Sequence, residues 1–113
     1  MAMQKQSGGI EAAKAVRLED LVEYQPGSIV SRTIKNAPVG TLTLFAFDEG
    51  QALSEHSAPY DAYVTVQDGE GELVIGGTPV AARAGETVLM PANIPHAVNA
   101  RQRFKMLLTM IRG

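Results

Sequence analysis

From Ser28 onward the chain consists of short runs of β-favouring residues separated by turn residues, and this pattern constrains the fold most strongly. The run TLTLFAF, residues 41–47, alternates so that Leu42, Leu44 and Ala46 share one face. Many short strands with turns at near-regular spacing are typical of an antiparallel sandwich or barrel. We therefore predict an all-β fold.

Glycine and proline mark the predicted turns between these strands. Pairs of turn residues favour hairpins, and a proline-bracketed segment favours a loop. Hairpin turns are predicted at residues 68–71, 76–77 and 84–85, and a loop at residues 91–95.

The N-terminal part of the chain has a different character. Residues 1–9 are polar and end in glycine, so we expect a disordered leader there. Residues 10–23 are rich in alanine with a rough helical stripe, and Pro26 and Gly27 end this stretch. We expect a short N-terminal helical turn within a single barrel domain of residues 10–113, because 113 residues suit one compact domain.

Composition excludes several classes of function. The chain has no cysteine, which rules out disulfides, Cys-ligated zinc, iron–sulfur clusters and thiol catalysis. Its formal net charge is -2 and it has no cluster of Lys and Arg, so we expect no nucleic-acid partner. No apolar run approaches the length of about 20 residues that spans a bilayer, and the N-terminus lacks a secretory core. We expect no membrane partner and a cytoplasmic location.

The last predicted strand, residues 104–111, is apolar on both of its alternating faces. Such a strand is covered twice within its own fold or covered on one side by a partner chain. This pattern favours a homodimer.

Two segments share a recurring arrangement of glycine, proline and histidine. In each segment a glycine is followed, after five residues, by a histidine or a proline. The matching residues are Gly50, His56, Gly69, Gly85, Pro91 and His96. This pairing resembles the two sequence motifs of the cupin superfamily, over residues from about 40 to 111. The resemblance implies an antiparallel jelly-roll β-barrel.

The resemblance also implies a metal centre, with two histidines and a glutamate from the first motif and a histidine from the second. His56 and His96 stand at two of these positions, whereas Ala58 replaces a histidine and Ala62 the glutamate. The implied cofactor is one divalent transition metal on His56 and His96. Catalytic zinc generally has three protein ligands, and non-haem iron typically has two His and a carboxylate. The set is therefore incomplete unless Glu55 or Asp61 contributes.

Strand alternation predicts which neighbours share the pocket with the histidines. If His56 faces the interior, the even-numbered residues that follow it do so too, and Asp61 points the other way. Tyr60 then lies on the pocket side, and a motif glycine near the second histidine is replaced by Asn93. The predicted pocket residues are His56, Tyr60, Asn93 and His96.

Three functions are compatible with these residues. The first is binding of a small-molecule ligand in an apolar pocket that His56 and His96 line. The second is a divalent-metal-dependent oxygenase or isomerase, as the resemblance implies. The third is a metal-free acid–base epimerase or isomerase, in which a histidine works with Tyr60 or Asp61. The first hypothesis requires the fewest residues, because it needs neither the two missing metal ligands nor a carboxylate paired with a histidine.

Overall fold

A computed structural model of the chain describes residues 2–112. Within that range there are nine strands and one short 3-10 turn, which precedes the second strand. The strands are β1 (Ala2–Ser7), β2 (Ser28–Ala37), β3 (Gly40–Phe47), β4 (Ala52–His56), β5 (Asp61–Ile75), β6 (Thr78–Arg83), β7 (Thr87–Met90), β8 (His96–Asn99) and β9 (Phe104–Ile111). The prediction of a mostly β jelly-roll barrel is confirmed.

The strands form a curled half-barrel whose two faces share strand β5. The order of hydrogen-bonded neighbours is β1-β2-β3-β9-β5-β8-β4, and β6 and β7 pair with β5. The first half of β5 pairs with β9 and β7. Its second half pairs with β6 and β8. The pairing of β1 with β2 is parallel, whereas the other pairings are antiparallel.

The hairpin turn predicted at residues 68–71 is wrong, because β5 runs through these residues without reversing. The ladder with β9 is irregular between Val66 and Asp68, where the strand bends from one sheet into the other. Gly69 follows with a φ of 73°, which favours glycine. Gly69 therefore serves a bend within a strand and not a hairpin turn. The turns predicted at 76–77 and 84–85 do separate strands.

The main core lies inside the curl, and it includes Phe47, Leu73 and Phe104. The rings of Phe47 and Phe104 stack at 4.7 Å between centroids. A smaller cluster covers the outer face of the sheet and holds Leu44 and Ala46 together with Val22. The alternation predicted for residues 41–47 is thus confirmed, because one face of this strand packs in the main core and the other in the smaller cluster.

Strand β9 lies between β3 and β5, and its inner face belongs to the core. On its outer face, Leu107 packs against the smaller cluster, and the buried Lys105 donates a hydrogen bond to the backbone oxygen of Glu19 at 2.6 Å. Part of the apolar outer face is therefore covered by the chain's own N-terminal segment. The homodimer favoured by this strand stays a prediction.

The N-terminal residues pair with the sheet where the sequence predicted a disordered leader. Strand β1 lies in register with β2, from Ala2 opposite Ser28 to Ser7 opposite Thr33. Its side chains from Met3 on are exposed, so the backbone ladder with β2 is its main attachment. The side chain of Arg32 adds to it by donating a hydrogen bond to the Gly8 oxygen at 3.0 Å. Backbone pairing of this kind does not require apolar side chains.

The expected helical turn is confirmed as a 3-10 turn over Leu18–Leu21. Its leucines pack against the smaller cluster, and Tyr24 beyond it donates a hydrogen bond to the Asp68 carboxylate at 2.5 Å. In the described part of the chain, no helix has the length and hydropathy needed to cross a membrane.

Candidate functional site

The two histidines of the chain are neighbours in the structure. His56 ends β4 and His96 begins β8, and the two residues are paired in the antiparallel register of these strands. Their ring centroids lie 4.5 Å apart, with the ring planes at 70°. His96 is buried, whereas His56 is exposed. One imidazole thus belongs to the interior and the other lies at its entrance.

Backbone carbonyl groups fix the orientation of both rings. Nδ1 of His56 lies 3.0 Å from the oxygen of Ser54, and Nδ1 of His96 lies 3.3 Å from the oxygen of Ile94. A carbonyl oxygen only accepts, so each Nδ1 is the donor and the neutral ring carries its lone pair on Nε2. Neither Nε2 has a hydrogen-bond partner among residues 2–112. Among the residues of this range that are not exposed, His96 included, no side-chain nitrogen is both fully buried and unpaired, so Nε2 of His96 keeps some access. His56 is itself exposed.

The histidines line a cavity of about 100 Å³ whose other walls are apolar. It is lined by β3, β7 and β9 from one side of the curl and by β4 and β8 from the other. The lining residues are Phe45, Leu53, His56, Ala62, Met90, His96, Val98, Met106, Leu108 and Met110. Polar groups in an apolar cavity direct and select a ligand. The imidazoles are the only polar side chains among these lining residues.

Burial sets the protonation of the inner histidine. Desolvation lowers the pKa of His96 below its usual value near 6.5, and the charge of His56 lowers it further. The hydrogen bond to the oxygen of Ile94 acts in the opposite direction and is weaker. His96 is therefore neutral at physiological pH, with the Nε2 lone pair available.

Two residues predicted to share the pocket lie elsewhere. Tyr60 lines a separate, open cleft of about 340 Å³, together with Asp61 and Arg112. Asn93 is exposed, has a φ of 65°, and donates its backbone N–H to the oxygen of Ala58 at 2.7 Å. The alternation fails for Tyr60 because β4 ends at residue 56 and β5 begins at 61, so the residues between belong to no strand. Asn93 stands in for the motif glycine through its backbone conformation.

The prediction that Asp61 points away from the histidines is confirmed. Its carboxylate accepts a hydrogen bond from the backbone N–H of Ala92 at 2.9 Å and lines the open cleft. Glu55 is exposed and is absent from the cavity lining. Neither carboxylate replaces the glutamate that is missing at Ala62.

Three methionines that the sequence indicates only as core residues also line the cavity. Ala62 on β5 is paired with Met90 on β7 and with Met110 on β9, so two methionines flank it across the sheet. Met106 contributes a third thioether to the same cavity. Alternation along β9 does put Met106 and Met110 on one face, but the sequence carries no signal for their position beside Ala62.

The donor set does not fit a divalent metal of the kind the motifs imply. Within residues 2–112, no group of three or more His, Asp or Glu side chains is placed to hold one ion. Two imidazoles without a carboxylate supply fewer protein ligands than catalytic zinc or non-haem iron generally uses.

A sequence model of the cupin domain matches residues 43–111, which is more than half of the chain. The chain belongs to the cupin family. This confirms the resemblance drawn from the glycine, proline and histidine pattern. No protein with a curated description matches the chain significantly.

Several solved structures resemble this chain over most of its length. A conserved protein of unknown function from Streptococcus pyogenes is 36% identical, with a TM-score of 0.88, and the match covers 93% of this cupin and 92% of that chain. A cupin 2 conserved barrel domain protein from Leptotrichia buccalis is 45% identical with a TM-score of 0.81, covering 83% of this cupin and 46% of that chain. A cupin superfamily protein from Desulfitobacterium hafniense shares the fold, with 21% identity, a TM-score of 0.87 and coverage of 93% and 96%.

Proposed function

We propose that this cupin binds a small molecule with a short apolar body and one polar head, which His56 and His96 hold. The observation that carries the proposal is the pair of imidazoles, both with free Nε2 atoms, in a cavity of otherwise apolar walls. Pockets of this make-up are ordinary ligand sites.

The volume of the cavity limits the ligand. At about 100 Å³ it is smaller than typical drug-sized pockets. An engineered apolar cavity of about 150 Å³ is large enough for benzene. The ligand, or the part of it that enters, therefore has only a few non-hydrogen atoms, although the methionine side chains can adapt to its shape.

The tautomer of the histidines selects the head group. Because each Nδ1 donates to a backbone oxygen, the rings in their neutral form offer a pair of acceptors to the ligand. A hydroxyl, a primary amide or a protonated carboxyl group can donate to them. A polyol such as a hexose does not suit the site, because its other hydroxyl groups would lose water against apolar walls.

A ligand-binding screen tests this proposal. We would add butanol, butyramide, butyrate and glucose separately at pH 8 and pH 6, and follow thermal stability together with the histidine NMR signals. We expect a response to butanol or butyramide and none to glucose. Butyrate should give none either, because its carboxylate is ionised at both pH values and cannot donate a hydrogen bond to Nε2. The response should disappear in the double variant His56→Ala/His96→Gln and persist in the control Tyr60→Phe, whose side chain lies in the other cleft. An equal response in the double variant would disprove binding at the histidines.

Acid–base catalysis is the second candidate, and one observation favours it. A histidine that stays neutral at physiological pH can accept a proton from a bound substrate, and the pKa of His96 is lowered by burial and by His56. Conversion of a bound compound from the same screen, lost in His96→Gln, would support an epimerase or isomerase. The divalent-metal enzyme has no comparable support, since its donor set is incomplete.

A further inference from the structure

The cavity contains an unusual concentration of sulfur. Three of the five methionines of the chain, Met90, Met106 and Met110, line it together with both histidines. Methionine often fills gaps in a core, so its presence there is not by itself evidence of a binding site. The decisive feature is that two of these methionines lie beside the position where the cupin motif has a metal-binding glutamate.

Two of the three methionines flank the position where the cupin motif has glutamate. Ala62 is directly opposite Met90 on one side and Met110 on the other. Directly opposed residues have Cβ atoms about 4.5–5.5 Å apart, and a thioether chain is longer than that of alanine. Where a carboxylate is missing, the neighbouring strands thus supply two thioether sulfurs on the same inner face.

The histidines present the complementary donors. A histidine that binds a metal usually donates its other ring N–H to a carbonyl or carboxylate, which fixes the ring and its tautomer. Both histidines have this arrangement, with Nδ1 bound to the backbone oxygens of Ser54 and Ile94 and Nε2 unpaired. Two imidazole nitrogens and thioether sulfurs without a carboxylate are a soft donor set. Soft thioether ligands select Cu(I) rather than hard divalent ions.

We propose that this cavity binds one Cu(I) ion through Nε2 of His56, Nε2 of His96 and the thioether sulfurs of Met90 and Met110. The proposal rests on the same free Nε2 pair as the proposed function, and it adds the sulfur ligands. Binding involves no change of oxidation state, because copper enters and remains as Cu(I). The ion replaces the polar head of an organic ligand at the histidines.

An anaerobic titration tests the copper site. Purified protein would compete with the chromophoric chelator bicinchoninate for Cu(I), which gives stoichiometry and affinity. We expect one Cu(I) per chain and a loss of affinity of about 10- to 100-fold or more in Met90→Leu/Met110→Leu, since removing even the outer partner of a ligand typically costs that much. The exposed Met3 provides the control variant Met3→Leu, which should bind as the parent does.

The sulfur contacts can also be observed without a variant. Methionine and leucine have similar volumes, so the double variant should fold. Independently of it, Ag(I), a redox-inert analogue of Cu(I), should shift the methyl NMR signals of Met90 and Met110 and leave that of Met3 unchanged.

The outcomes separate this proposal from the proposed function. Absence of stoichiometric Cu(I) binding, or binding that the leucine variant and the methyl signals do not sense, overturns the copper site. If four-carbon ligands still bind through the histidines in that case, the proposed function stands alone. If Cu(I) binds and these ligands do not, the copper site stands and the organic ligand is wrong.

Discussion

His56 and His96 lie opposite each other across the pair of strands β4 and β8, and each ring donates its Nδ1 hydrogen to the carbonyl oxygen two residues before it. Rotation of either ring would break its hydrogen bond, so the two Nε2 atoms are positioned before any ligand arrives. Preorganisation of this kind lowers the cost of binding. In this cupin, the motif histidines are retained in an apolar cavity, while two of the expected metal ligands are alanines.

Stability should depend on pH through His96. Its pKa is lowered in the folded protein, by burial first and by His56 second, so the unfolded chain binds the proton more tightly. The neutral ring contributes to the free energy of unfolding in full above about pH 6.5. This contribution is lost as the pH falls from there through the lowered pKa of the folded state. Urea unfolding from pH 8 to pH 5 would measure it.

The variants His56→Ala and His96→Gln separate the causes of this acid sensitivity. His56→Ala removes the charge of His56 and also uncovers His96, since the two ring centroids lie 4.5 Å apart, so it should reduce the loss of stability. His96→Gln should remove the part due to this ring. A parent protein whose unfolding free energy did not fall between pH 6.5 and pH 5 more steeply than that of His96→Gln would contradict the burial assigned to His96.

Restoring the missing glutamate should create a divalent-metal site. We expect Ala62→Glu to bind Zn²⁺ or Mn²⁺ at least about 10-fold more tightly than the parent, because Ala62 lines the cavity and the change raises the protein ligands from two to three. Without metal the variant should be less stable, since Ala62 is buried and an unpaired carboxylate there is costly. Isothermal titration with each ion checks this prediction, and Ala62→Ser, which adds no carboxylate, is the control. Equal affinity in parent and variant would mean that a carboxylate at this position does not reach the histidines.

The close contact between Gly71 and Phe104 should make residue 71 intolerant of any side chain. A Cβ atom at residue 71 would meet the ring atoms of Phe104, with Cζ at 2.5 Å and Cδ2 at 2.8 Å. Gly71→Ala should therefore lower the free energy of unfolding by about 1–3 kcal/mol, as overpacking does. Gly9→Ala is the matched control, because its Cβ would have only one neighbour, at 3.4 Å. Chemical unfolding of the two variants compares them, and similar losses in both would argue against this packing.

The overall fold could be predicted because its signals are local. Alternation and turn residues define most strands, and the cupin motifs bring His56 and His96 together whatever the path of the chain between them. The predicted hairpin at residues 68–71 is wrong because glycine occurs in bent strands as well as in turns. Local sequence does not distinguish these two uses.

The details of the site depend on pairing between distant strands, which the sequence does not display. Alternation predicts Tyr60 in the pocket only when it is extended across residues 57–60, where no strand exists. The position of Met90 and Met110 beside Ala62 follows from the registers of three strands. The positions of Tyr60 and of the two methionines depend on contacts between distant parts of the chain. The hydrophobic pattern along the chain indicates only which face of a strand a residue occupies.

The tautomer of the two histidines tests the central claim most directly. Long-range ¹H–¹⁵N NMR spectra at pH 8 distinguish a protonated Nδ1 from a protonated Nε2 in each ring. The structure predicts that both rings carry the hydrogen on Nδ1, and that both Nε2 signals shift when a four-carbon ligand or Ag(I) is added. A hydrogen on Nε2 of either ring, or Nε2 signals that respond to neither addition, would contradict the paired free nitrogens on which both proposals depend.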